Sequence, residues 1–187
     1  MKYHYTSILH LAFIVRSGKL RRSRRRAHGN HRRGLLWFSD NPVMEGTARK
    51  EHGAAVRFGS QAGDIERWRN VAKAAGYGNA VMSGLERSGR KMGATPGQWW
   101  AIARDVGLEE IEVVEIRLHG QWWPIDLSVL DIREAQADVL ELRGPGGLAA
   151  IIGRRRTASG FYLYGTNKDS YRPENVLPAP MLLEATG

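Results

Sequence analysis

No cysteine occurs in this chain, which excludes disulfides and thiolate metal sites and is compatible with a reducing compartment. Acidic residues are absent from the first 34 positions. Long apolar runs are missing too: the most apolar stretch, residues 8–15, makes only about two helical turns, far short of a bilayer span. Its arginines lie after it rather than before it and it lacks a cleavage pattern, so it does not read as a secretory signal. The sequence contains no His-Glu-x-x-His, Walker or Rossmann glycine pattern, so metal-dependent hydrolysis, P-loop chemistry and the dinucleotide-binding fold lack support. No internal repeat of useful period is present. No metal and no membrane contact are expected, and the cytoplasm is the expected location.

What is present is unevenly placed. Ten of the 28 Lys and Arg residues fall within positions 1–34, which leaves 18 basic residues against 19 acidic ones over the rest. The net charge of +9 therefore belongs to one short segment. Within it, residues 19–34 carry Arg21, Arg22, Arg24, Arg25, Arg26, Arg32 and Arg33 and almost nothing apolar to bury, which predicts a solvated, mobile loop. Such a loop suits phosphate, whether of nucleic acid or of a dinucleotide's pyrophosphate, and equally serves as a plain solubilising surface. It holds no aromatic residue, so base stacking inside it is not expected.

A length of 187 residues suits one domain with an appendage. His4-Tyr5-Thr6 reads as a short strand leading into an apolar helix that stops at Gly18. Residues 35–39 read as a buried strand, bounded by Gly34 and the Asp40-Asn41-Pro42 turn, with a helix predicted over 43–50. Residues 54–58 form another strand. Asp64 is placed to cap a helix carrying Ile65, Trp68, Val71, Ala72 and Ala75 to its end at Gly76, and a short helix is predicted over 80–87. Residues 99–103 and 110–118 are strands, and 120–125 make a turn and a further strand. Residues 127–134 read as a connecting helix or linker. Three short strands over 139–142, 148–153 and 161–164 then suggest a small β subdomain over 135–187, or extra strands on the main sheet. The Trp99-Trp100 and Trp122-Trp123 pairs read mostly as sheet packing, with one member of each pair facing away from its neighbour.

The opening His4-x-Thr6 strand and its helix resemble the first motif of the ADP-ribosyltransferase fold. Residues 35–39, with Thr47 and Ala48 behind them, resemble that family's second motif, an apolar strand ending in a small residue. Residues 98–102 and 106–116 resemble its closing pair of strands, so the likeness spans about residues 2–126. It implies an α+β, mostly antiparallel split sheet with flanking helices over residues 1–130, followed by the small C-terminal β element, whose ending over 170–178 resembles SH3-like barrels. It further implies that NAD is bound as substrate by His4, Tyr5 and Thr6, that Trp37 or Phe38 packs on nicotinamide, and that Ser39 hydrogen-bonds nearby.

The family's catalytic glutamate opens the late strand, where this chain has Gln98. A glutamine keeps a hydrogen bond and loses the anionic stabilisation of an oxocarbenium-like charge. Another acid would then act. Glu110 and Glu112 share one strand face and Glu115 takes the other, and Glu112 is the candidate carried forward, although a solvated strand edge explains all three. The expected function is NAD-dependent ADP-ribosyl transfer to a nucleic acid or another acidic macromolecule recruited by the Arg-rich segment. The alternative is an inactive relative that binds nucleic acid or a protein through the same arginines. RNA 2′-phosphate transfer to NAD is a third use of that fold. His10 reads as a helix surface or packing residue.

Overall fold

The computed structural model describes residues 1–22, 34–48, 56–118, 121–127, 131–136, 139–144, 147–157 and 160–164. The architecture is α+β. In chain order the elements are β1 (Lys2–Thr6), α1 (Ile8–Ser17), β2 (Lys19–Leu20), β3 (Leu36–Ser39), β4 (Val56–Ser60), β5 (Glu66–Arg67), α2 (Trp68–Ala74) and α3 (Asn79–Lys91). They continue with a 3₁₀ turn (Pro96–Gln98), β6 (Trp99–Ile102), β7 (Val106–Gly107), a second 3₁₀ turn (Leu108–Glu110), β8 (Val113–Leu118) and β9 (Gln121–Pro124). A separate antiparallel meander follows, made of β10 (Asp131–Gln136), β11 (Val139–Gly144), β12 (Gly147–Thr157) and β13 (Gly160–Tyr164).

The main sheet has seven strands in the order β5-β6-β3-β1-β4-β8-β9, every neighbouring pair antiparallel. Alternation along the strands sends side chains to two cores. Leu36, Phe38, Val56, Phe58, Ile102 and Ile116 face α1, where Leu11 and Ile14 cover them. Leu35, Trp99 and Ala101 face the other way, under Trp68 and Ala72 of α2 and Met82 of α3. A sheet covered on both faces explains why residues 35–39 read as a continuous apolar run rather than an alternating one. Trp99 and Trp100 divide between the two sides as alternation requires, Trp99 in the helix-covered core and Trp100 half-buried against the α1 side.

Two glycines matter to this packing. Gly18 ends α1 in the left-handed region (φ 65°), where its N–H reaches back to the Val15 carbonyl at 3.1 Å and turns the chain into β2. Gly89 lies where α3 presses on the Trp99 ring, and a methyl there would collide with the indole.

Several sequence expectations change. Residues 19–22 are not a loose loop: Lys19 and Leu20 pair with Gly107 and Val106, and the next turn is tied down by the Arg22 N–H on Asp105 Oδ1 at 3.1 Å. Asp64 caps no helix, because its carboxylate is taken by Arg104 Nε at 2.7 Å, and α2 begins only at Trp68 after the short edge strand β5. The helix expected over 80–87 runs from Asn79 to Lys91. Residues 110–112 precede β8 instead of opening it, since a 3₁₀ turn holds 108–110. The linker or helix expected over 127–134 is in part strand β10. Strands β6 and β8 are not a closing pair: β6 lies beside β3, and β8 beside β4 on the other side of β1. The predicted helix over 43–50 and strand over 54–58 are described only in part, with helical backbone at 46–48 and strand from Val56. Residues 170–178, on which the SH3-like comparison rested, lie outside the described residues.

Candidate functional site

The sheet is weakest at its middle. Strand β1 pairs with β4 at five positions from Lys2–Ser60 to Thr6–Val56, but meets β3 only at Tyr3 and Ser39. Past that point the ladder gives way to a side chain: His4 Nδ1 lies 2.9 Å from the Trp37 carbonyl oxygen. A carbonyl only accepts, so Nδ1 carries the hydrogen and the ring is held across the seam. The Phe38 ring stands 5.9 Å away and limits its rotation further.

Two clefts meet at this histidine. The first, of about 300 Å³, opens on the side covered by α3. Its floor is Tyr3 and Tyr5 from β1, Trp37, Phe38 and Ser39 from β3, and Trp99 from β6. Leu85 and Ser88 of α3, with Met92 just beyond it, form one wall, and Glu45, Thr47 and Ala48 the other. The tryptophans brace one another, with Trp37 5.5 Å from Trp68 and 5.8 Å from Trp99, centroid to centroid. Glu45 is 8% exposed, and its carboxylate is fully engaged. Oε1 accepts the Trp99 indole N–H at 3.0 Å, while Oε2 accepts the Ala48 N–H at 2.9 Å and the Thr47 hydroxyl. One acid thus fixes the rotamer of a cleft aromatic and satisfies the start of the helical segment behind it.

Behind Tyr3 and Tyr5 lies a second buried charge. Arg57 donates to Glu115 at 2.5 Å and to the Pro42 carbonyl. Its guanidinium sits 4.3 Å from the Tyr3 ring and 4.5 Å from the Trp122 ring. Burial works against that charge, but the hydrogen bonds to Glu115 and Tyr5 outweigh it and hold Arg57 above its ordinary value. The Tyr5 hydroxyl donates to the Asn41 carbonyl. Burial pushes this phenol up to about 12, although Arg57 pulls the other way. Tyr5 therefore stays neutral at any physiological pH.

The second cleft, of about 420 Å³, lies beside α1. His4 and Thr6 form its inner end, His10, Phe13, Arg16 and Ser17 its helical side, and Lys19 and Arg21 its rim. Thr6 Oγ1 and His10 Nδ1 are 2.8 Å apart, which ties the end of β1 to the first turn of α1. Arg16 lies over the Phe13 ring at 5.1 Å, and Lys19 pairs with Asp105 at 3.5 Å.

His4, Tyr5, Trp37, Phe38 and Ser39, singled out from the sequence, all line the first cleft, and Thr6 lines the second. Neither acid-position candidate joins them. Gln98 ends the 3₁₀ turn before β6, its carbonyl accepting the Asp40 N–H at 3.1 Å, outside the residues that line either cleft. Glu112 precedes β8 on the far half of the sheet, exposed, with its carboxylate on the Gln61 amide at 2.6 Å. Of the arginines assigned to nucleic acid, Arg21 and Arg22 flank the second cleft and the 103–107 turn, while Arg24, Arg25, Arg26, Arg32 and Arg33 lie outside the described residues.

Glu45 and the α3 wall were not legible beforehand. A glutamate is an unusual helix-start residue compared with Ser, Thr, Asp or Asn, and inside a predicted helix it reads as solvated. Only the return of Trp99 from 54 positions away buries it. Among the described residues no group of three or more His, Asp or Glu side chains is placed to hold a metal ion, and no helix is long and apolar enough to cross a membrane. No protein-family model, curated protein or solved structure matches this chain.

Proposed function

We propose that the chain binds NAD at the seam beside His4 and transfers ADP-ribose from it, on an ADP-ribosyltransferase-like split sheet. The observation that carries this reading is the histidine pinned across an interrupted β1–β3 ladder, at the mouth of an aromatic cleft. About 300 Å³ floored by Tyr5, Trp37 and Trp99 fits a planar ring with part of its sugar, and so one half of a dinucleotide. Ring faces there stack on nicotinamide, and Ser39 at the cleft floor, whose Oγ accepts the Asn41 N–H at 3.2 Å, keeps its hydroxyl hydrogen for the oxygen of the nicotinamide amide.

In the reaction the bond between the nicotinamide nitrogen and ribose C1′ breaks, and the electron pair leaves with neutral nicotinamide. An acceptor oxygen or nitrogen bonds to C1′ and releases its proton. Positive charge builds on the ribose between these events. Gln98 stands directly before Trp99, which is paired with Ser39, and so is the side chain nearest in sequence to the cleft floor on that edge. Because Gln98 lies outside the cleft lining, its amide meets a ribose only where the bound sugar projects past Trp99, and it carries no charge to offset the developing cation.

A second reading has its own support. The one carboxylate among the described residues lining the cleft is Glu45, and all its contacts are structural. A protein that binds a nucleotide without cleaving it would be built this way.

Calorimetric titration with NAD, together with assay of nicotinamide release, separates the two. NAD binding that His4→Ala abolishes in a folded protein is the expected result, and undiminished affinity in that variant would remove the pocket assignment. Gln98→Glu should raise nicotinamide release about tenfold or more. Binding without any release, in the wild type and in Gln98→Glu alike, would leave the binding protein as the correct reading.

A further inference from the structure

Apart from His4 and Thr6 at its inner end, the cleft beside α1 is made of residues that the proposed transfer does not use. Among the described residues lining it there is no carboxylate, whereas His10, Arg16, Lys19 and Arg21 all face it. The nearest acid shown, Asp105, holds Lys19 from outside the lining. In sequence, the lining residues belong to positions 1–34, to which the chain's net positive charge is confined. Such a site attracts an anion and selects against an acidic protein face only weakly, so the aromatic residue decides what kind of anion fits.

That residue is Phe13. It is 48% exposed on a helix whose Leu11 and Ile14 are buried, and it is the single aromatic among the large apolar side chains left exposed in the described residues. One of its faces is held by Arg16 at 5.1 Å, so the ring is oriented before any ligand arrives. An exposed, pre-oriented ring among cations is the combination that single-stranded nucleic acid uses: bases stack on the ring and phosphates follow the charges. A duplex keeps its base faces stacked and cannot use Phe13.

We infer that this cleft is a seat for single-stranded nucleic acid, with a base on Phe13 and phosphates on Arg16, Lys19 and Arg21. Because His4 borders both clefts, a strand lying here ends beside the seam. Resting on the transferase reading, this makes the strand the acceptor of ADP-ribose. The seat itself stands on the geometry alone.

The test is fluorescence anisotropy of the full chain with a labelled oligonucleotide of about 12 nucleotides, single-stranded and as its duplex, across a salt series. Tighter single-strand binding is expected. Phe13→Ala should weaken it by about tenfold, leave the salt slope unchanged and spare the duplex. Arg16→Ala with Arg21→Ala should flatten the log–log salt slope by about 1.4, two phosphate contacts' worth. 2-Aminopurine placed in the strand should be quenched by wild type and not by Phe13→Ala. Equal affinity for the duplex, or indifference to Phe13→Ala, would overturn the inference. So would loss of NAD affinity, in place of oligonucleotide affinity, in the double arginine variant, since the cleft would then belong to the dinucleotide's own phosphates. A chain that binds no NAD but still shows Phe13-dependent strand binding would keep the seat and drop the transferase.

Discussion

The cleft under α3 and the cleft beside α1 share His4 and differ in almost every other respect. The first is made from the core itself: Trp37 and Trp99 are simultaneously its floor and members of the aromatic cluster that holds α2 and α3 to the sheet. The second sets Phe13, Arg16, Lys19 and Arg21, side chains that the core does not need, over an inner lining that includes the core residues Ile14 and Leu20. A ring-binding site must exclude water and hold its shape, and only a close-packed interior does that. A polyanion site needs charge and access, which a surface supplies without cost to packing. The two clefts should therefore respond differently to the same kinds of damage.

The largest effect is expected at Trp99. Trp99→Ala removes a side chain 6% exposed and leaves Glu45 Oε1 without its donor, which should cost about 3–5 kcal/mol in denaturant unfolding. Phe13→Ala, the corresponding aromatic deletion in the other cleft, should cost well under about 1 kcal/mol because the ring is half in water already. Comparable losses for the two variants would contradict the division.

Next in size is an alkaline effect confined to the aromatic cleft. The Tyr5 phenol titrates near 10 in the unfolded chain and about 12 in the folded one. The folded state holds the proton more tightly, so stability is full below pH 10 and falls as pH rises through 12. The loss amounts to about 2.7 kcal/mol if the whole shift is expressed, at about 1.36 kcal/mol per pH unit. Urea midpoints measured between pH 9 and 12 should show this decline in wild type and a shallower one in Tyr5→Phe. Parallel curves would show that burial of Tyr5 does not govern it.

Gly89→Ala sharpens the same side of the comparison. Its added methyl meets the Trp99 ring and should cost about 1–3 kcal/mol by overpacking, despite the helix-favouring exchange. An increase in melting temperature would mean that α3 is not pressed against Trp99. The smallest effect is at the rim of the basic cleft. Arg21→Ala should leave stability within about 0.5 kcal/mol at any salt concentration, and a clear melting shift would assign it to the fold instead.

How much of this was readable beforehand follows the range of the interactions. The β1–α1 unit was legible, because strand, apolar helix and terminating Gly18 are contiguous and each has a local cause. So was the run at β3, whose burial on both faces marks it without periodicity. The end of α2 was legible through Gly76, which takes the left-handed region at φ 83°. Its start was not, since Asp64 offers an acceptable cap until Arg104, 40 positions on, claims the carboxylate. The extra turn of α3 was hidden because Gly84 and Gly89 break its apolar pattern, and Gly89 is there for Trp99. The seam residues His4, Trp37 and Ser39 could be singled out by pattern, but not the gap that brings them together.

Sequence alone determined the segregation of charge, the absence of thiol chemistry and the local strand and helix seeds, since each depends on residue type or on neighbours a few positions apart. The tertiary structure alone decided that β6 lies against β3 while β8 lies on the opposite flank of β1. That arrangement leaves Glu112 beyond β4 and outside the lining of both clefts, buries Glu45 against Trp99 and creates two unlike clefts on either side of one histidine. Strand order is set by which faces can bury each other across dozens of residues, a collective packing preference that no single stretch of the chain encodes.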